Sequence, residues 1–452
     1  MQSYCFILRW AIRRWPNTYN TANEDMNPIL EEVVSNLNNF IENINCLRET
    51  YDFSKGMLNK QLQSATKSYE AFIAPFSSSD ENSNFQLDVP IEKIKEYKKL
   101  CKRKCRAEKA FQLIPPSYIV TLVSLYDTFL AGFVRCIYSL KESLILESNI
   151  SFSFRDIAEY DSIKEVKKNV IDNTIDKLFR DSHTEQIDWI EKAIDVKTLK
   201  QFSGWSSFVE LTERRNLFVH SDGMVSSQYL KECKKCNYDT GGIEVGSKLF
   251  ADDSYFENSY KLLYEMSVMM TQILLNKLYI GIYTNDTGVR DKILIGNIYE
   301  LICEKLYDVA INVSMFARNG KSFKRNNKDR TYIELNLAQA YKWSGHNDKC
   351  LAVLRDLDTS AMNLDLQIPK KVLEEKYDEV YTMMQSLGSN SDILTKEAYR
   401  EWPIFKEIRK QEKFKGVFEM IFAEKLLLQS VSTSMESSMK CKDEISLGEV
   451  EL

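Results

Sequence analysis

Glycine and proline are scarce in this chain, at 15 and 8 of 452 residues. A protein of many short strands needs turn residues every few positions, so this scarcity disfavours an all-β design and favours long helices. Histidine is rarer still, at three. The chain holds no P-loop, no Gly-rich dinucleotide turn and no Gly-x-Ser-x-Gly elbow. Nothing therefore points to the nucleotide- or ester-handling chemistry those motifs serve. Positive charge is not in excess: the formal net charge is −5. That counts against a broad polyanion-coating surface, but not against a small cleft or a local patch.

The ten cysteines follow no secreted-scaffold spacing. A chain of this size needs no covalent staples, so reduced thiols in a cytoplasm are the expectation. The pairs "CKRKC" (Cys101 to Cys105) and "CKKC" (Cys233 to Cys236) raise a zinc site. They lie far apart in sequence and one has three intervening residues, so free thiols are expected, with reactivity raised by the neighbouring lysines. His183 and His346 stand in no ligand pattern, so neither metal nor cofactor is expected.

No clean secretory signal opens the chain. "MQSYCFILRWAIRRWPN" is interrupted by Arg9 and reads as an amphipathic helix, with Met26 an alternative start. Two long apolar stretches follow, Tyr118 to Leu140 and Leu262 to Tyr283. The first holds Asp127 and Arg135, the second Glu265, Gln272 and Lys277, and each charge would be expensive in lipid. Both read as helices buried in a protein core, not as membrane spans.

The fold expected is all-α. Apolar residues from Ile29 to Ile44 repeat at helical spacing behind an Asn27-Pro28 entrance. A second helix runs from about Lys55 to Pro75, and "SSSDENSNFQLDVP" reads as a loop. A basic run from Lys98 to Arg106 reads as a solvated helix face, with tracking of an RNA backbone as the alternative. Pro115-Pro116 is expected to break the chain before the apolar helix. From about Asn285 the pattern suggests a further helical region. There "ELNLAQAYKWSGHNDKCLAVLRDLD" reads as a helix pair of tetratricopeptide type around Gly345, with no second clean copy. The divisions expected are 1–90, an N-terminal helical region; 91–284, a central bundle; 285–428, a C-terminal helical domain; and 429–452, a disordered tail.

The most informative stretch is "ERRNLFVHSDG", from Glu213 to Gly223. Asn216 and His220 are four apart and share a helical face. Arg215 lies five before the histidine, with a side chain long enough to reach the same cleft. Ser221-Asp222-Gly223 is a helix stop, which places His220 at an open helix end. An imidazole titrates near neutrality and can take a proton from a ribose 2′-hydroxyl or give one to a leaving 5′-oxygen. A guanidinium beside it can fork onto a phosphate and offset its developing charge. The plain structural alternative is a pair of helix-end cations favoured by the helix dipole.

"RNLFVH" resembles the Arg-(Asn/Asp/His)-x-x-x-His motif of HEPN domains, the higher-eukaryote and prokaryote nucleotide-binding helical bundles. "SDGMV" after it and "LVSLYDTFLAGFVR" upstream are similar to the family's surroundings. The resemblance covers about Pro115 to Tyr283. It implies a HEPN bundle acting as a metal-independent endoribonuclease, with Arg215, Asn216 and His220 as the catalytic set and Asp127 in support. It further implies an RNA substrate, transfer RNA among the candidates, and a homodimer whose two motifs line one cleft. The role implied is a toxin or abortive-infection effector in antiphage defence, restrained by a regulatory partner or phage trigger. Two alternatives stay open: a non-catalytic helical scaffold, and a HEPN domain that binds nucleotide or a partner without cutting.

Overall fold

The computed structural model describes residues 27–79, 85–147, 159–281, 287–320 and 324–426, with a few isolated residues between them. The expected first helix, the alternative start at Met26 and the tail 429–452 lie outside the described residues. The fold is all-α. Its one strand pair among the described residues, β1 (Ser77–Ser79) with β2 (Phe85–Leu87), lies in the stretch read as loop.

Two helices set the frame, α1 (Pro28–Ile73) and α2 (Ile94–Leu140). Asn27 caps α1, its Oδ1 accepting from the Ile29 amide at 2.9 Å, and Pro28 fills the first helical position. The two helices run antiparallel: Asn36 Nδ2 donates to the Phe129 carbonyl at 3.1 Å, Ser54 Oγ meets Tyr118 Oη at 2.9 Å, and Tyr69 lies against Tyr97. The stretch read as a second helix is the outer half of α1. α2 also runs through Pro115-Pro116, where a break was expected. The prolines remove the two backbone donors that would serve the Phe111 and Gln112 carbonyls, but Gln112 is exposed and Phe111 only half-buried there. Buried Ile114 and Ile119 hold the helix on either side.

Among the described residues, the longer of the remaining helices up to Leu357 are α3 (Ile163–Leu178), α4 (His183–Ala193), α5 (Trp205–His220), α6 (Ser227–Lys235), α7 (Asp253–Leu274), α8 (Gly288–Cys303), α9 (Tyr307–Asn319), α10 (Asn327–Trp343) and α11 (Asn347–Asp356). α7 packs on the inner halves of α1 and α2. Phe256 stacks on Tyr51 with centroids 4.1 Å apart, Arg48 forks onto Glu257 at 2.8 Å, and Tyr126 Oη meets Met270 Sδ at 3.3 Å. Residues 263–275 are buried without a gap, as the apolar reading of Leu262 to Tyr283 requires. The segment Ile91–Leu140 is long and apolar enough to cross a membrane, and half of its most apolar stretch is buried in the fold.

Packing divides the chain into two units, one holding the described residues up to Leu357 and the other those from Asp358. Boundaries were expected near 90 and 284, but no unit boundary falls at either. α1 buries Leu30, Val33, Leu37, Phe40 and Ile44 in the first unit, and α9 joins α7 through Asn312 and Glu265. The Glu334–Asp358 stretch forms the expected helix pair, α10 and α11, with Gly345 at φ +84° in the turn. The second unit comprises α12 (Leu364–Leu373), α13 (Tyr377–Leu387), α14 (Lys396–Glu401) and α15 (Glu412–Phe422), around buried Tyr399, Trp402, Phe405, Phe414 and Phe418.

Glu265 is the energetic cost of the buried α7. Burial pushes its carboxyl up to about 7 and Asp308 adds to the shift, while the Asn312 amide opposes it with a 2.9 Å bond. The folded chain holds this proton where the unfolded one releases it. Stability from this site is therefore lost as pH rises from about 4.5 to about 7, and the loss is complete above that. Glu265→Gln should raise stability above pH 7 by on the order of 2 kcal/mol and remove this component. Urea melts from pH 4 to 8, compared between wild type and variant, read it directly.

Candidate functional site

The site forms where α5 meets α2 and the start of α4. α5 buries Phe208, Val209, Leu211 and Leu217, which fixes it against the core. Phe208 meets Tyr126 of α2 edge-on, with centroids 5.5 Å apart, and this contact sets the neighbouring Asp127 opposite α5. Arg215 Nη2 donates to Asp127 Oδ2 at 2.5 Å, and Arg215 Nη1 donates to Asn216 Oδ1 at 3.1 Å. Arg215 Nε is buried with no hydrogen-bond partner among the described residues. One N–H on each terminal nitrogen remains for an incoming acceptor.

The other oxygen of Asp127 is 2.7 Å from His183 Nε2. His183 opens α4 behind a capping box, in which Ser182 and Glu185 satisfy each other's backbone amides. Its ring is buried and stands edge-on to Phe208, with centroids 6.0 Å apart. Asp127 is thus a bridge from which a guanidinium and an imidazole are both held. The sequence reading did not single out His183. Its partner is 56 residues away on another helix, and the only local signal around it is a cap.

His220 lies elsewhere on the same helix. It is the last residue of α5 and is exposed, with no hydrogen bond, ion pair or ring contact among the described residues. The structure therefore brings Asp127, Arg215 and Asn216 together and leaves His220 open to solvent. The stop after it is built as expected. Asp222 and Gly223 take φ +50° and +80°, and the Gly223 amide donates to the Leu217 carbonyl at 3.0 Å. A Cβ at Gly223 would fall 2.7 Å from the Leu249 carbonyl, so the returning chain passes too close for any other residue.

Below the motif lies a second polar core. Buried Glu210 accepts from Arg214 Nε at 2.5 Å, Tyr229 Oη at 2.8 Å and Tyr255 Oη at 2.8 Å. Arg214 lies over the Tyr255 ring at 4.1 Å and donates to the Phe250 carbonyl at 3.0 Å. α5, α6 and α7 are joined in this way, beside a small apolar cluster of Leu217, Val225, Tyr229, Cys233 and Leu249. Burial, with Glu210 next, pushes the Cys233 thiol up to about 12, and burial also raises Cys236. Both shifts run opposite to the lowering, and the reactivity, expected from the lysine neighbours. Among the described residues no group of His, Cys, Asp and Glu could hold a metal ion.

The chain matches no protein-family model, no curated protein and no solved structure.

The two arginines of the motif are thus separated by role. Glu210→Ala should cost about 3–5 kcal/mol, because it strands the Arg214 charge in a buried site. His220→Ala, at an exposed position with no partner among the described residues, should stay within about 0.5 kcal/mol of wild type. Urea denaturation of the two variants tests the contrast.

Proposed function

We propose that the chain is an endoribonuclease whose active face is the C-terminal end of α5, with Arg215 and His220 as catalytic residues. The observation that carries this reading is the unequal treatment of the two side chains. Arg215 is fixed by Asp127 with N–H groups to spare, while His220 at the open end of the same helix is exposed and has no partner among the described residues. A fixed guanidinium can hold a scissile phosphate in a set geometry at little entropic cost. A free imidazole can take the 2′-hydroxyl proton as that oxygen attacks phosphorus. The P–O5′ bond then breaks, the leaving oxygen gains a proton, and a 2′,3′-cyclic phosphate remains. DNA lacks the attacking hydroxyl and is spared.

Asn216 shares Arg215 Nη1 and would steady the guanidinium. Asp127 is a positioning residue, and His183 fixes it from the far side. The reading includes a homodimer in which two such faces line one cleft, and a cytoplasmic role in antiphage defence. Unrestrained RNA cleavage kills a cell, so a regulatory partner or infection trigger belongs to the same reading.

The test is cleavage of transfer RNA and of mixed RNA by the purified full chain in excess chelator. His220→Ala and Arg215→Ala should each lower the rate by about 100-fold or more. Asp127→Asn should slow cleavage while leaving the RNA ends unchanged as cyclic phosphates. A substrate with a single 2′-deoxy at the cut site should survive. Equal behaviour of the wild type and all variants would replace the enzyme with a helical scaffold.

A further inference from the structure

Outward of Tyr51 and Tyr118, α1 and α2 continue as a two-helix arm. Among the described residues of 52–117, the buried hydrophobics are only Ala65, Ala107 and Ile114. By the rise of a helix the arm is roughly 30 Å long. Apart from Lys55 at its base, which pairs with Asp253 of α7, the polar contacts of the arm stay within the hairpin: Lys104 lies over the Tyr69 ring at 4.9 Å and Lys93 over Phe76 at 5.2 Å.

The arm concentrates charge that the whole chain lacks. Lys93 to Lys109 hold nine basic and two acidic residues, a local net of +7 in a chain of −5. At about 100° per residue, Lys95, Lys98, Lys99, Lys102, Arg106 and Lys109 fall within one arc of about 100°. All six are exposed, and none has a carboxylate partner among the described residues. Leu100, Lys104, Ala107, Phe111 and Ile114 occupy the opposite side, where α2 meets α1. So many unpaired like charges on one face repel one another and weaken the helix. A face of this kind is stabilised by a polyanion.

We propose that this stripe binds the phosphate backbone of folded RNA and holds it on the same helix that carries Asp127. Lys95 to Lys109 cover ~21 Å, a spacing between cations comparable to the ~3.4 Å interval of phosphates along a duplex strand. The stripe contains no aromatic side chain, so it has nothing on which to stack the bases of a single strand. Tyr97 and Phe111 lie on the packed side. A membrane surface fits less well, because an interfacial helix needs a free apolar face opposite its charges, and here that face is packed on α1. Asp127 follows Lys109 by 18 residues on α2, or ~27 Å along the axis. The role as a substrate guide rests on the ribonuclease reading; the binding itself does not.

Binding is measured on the full chain carrying His220→Ala, with labelled transfer RNA in chelator from 50 to 200 mM salt. Adding Lys99→Glu, Lys102→Glu and Arg106→Glu should weaken binding at least ~10-fold and make the log–log salt dependence shallower by about 2 to 3. The glutamine counterparts should give a smaller loss of the same sign, and unchanged melting confirms the fold. With His220 restored, the glutamate variant should cleave a dinucleotide at the wild-type rate, since so short a substrate cannot reach the arm. If the wild type does not cut the dinucleotide either, the ribonuclease reading fails, while the arm is still judged on binding. Unchanged RNA affinity and salt slope would overturn the inference. So would charge-dependent binding to phosphatidylserine vesicles with RNA affinity unaltered.

Discussion

The Asp127 carboxylate holds the site together. It sits on α2, the longest helix of the fold, and draws Arg215 of α5 and His183 of α4 onto its two oxygens. Each of these helices approaches α2 with its own apolar surface, and Phe208 is shared among them. Half-buried ion pairs are worth more than exposed ones only when their remaining polar atoms are satisfied. Here both oxygens are used, and the polar centre is closed on the side away from solvent. The cost is visible in Arg215 Nε, which is buried with no hydrogen-bond partner among the described residues.

Two polar centres on one helix divide the labour of the motif. Glu210 and Arg214 face inward and join α5 to α6 and α7 through two tyrosine hydroxyls. Arg215 and Asn216, the next two residues, face α2 and the site. A helix turns about 100° per residue, so consecutive arginines serve different neighbours. His220 escapes both centres because the chain leaves the helix immediately after it through Asp222 and Gly223 in the left-handed region.

The arm adds a second electrostatic feature to the same helix. Charge is kept apart from the core: the apolar residues of the inner halves of α1 and α2 are buried, while the outer halves are joined by a thin seam. The long lever of α2 links the basic stripe to Asp127 through an unbroken helix, which the two prolines at its midpoint do not interrupt.

Much of this was legible in the residues. Helical spacing of apolar positions, few turn residues, the Asn27-Pro28 entrance and the Ser-Asp-Gly stop are local signals, and local geometry follows from them directly. The buried course of α7 and the open end of α5 were read in the same way. The continuity of α2 through Pro115-Pro116 was not legible, because packing on both sides outweighs the lost backbone bonds. Nor was the joining of α1 to α2 in one unit with α8 to α11, since an amphipathic stripe states that a face is buried but not against what. His183 and the raised Cys233 and Cys236 thiols follow the same rule. A pairing across 56 residues, or a thiol's environment, depends on which surfaces the tertiary fold brings together. By itself the sequence determined the helices and the motif on α5; only the tertiary structure decided which side chain would hold Arg215 and which would be left free.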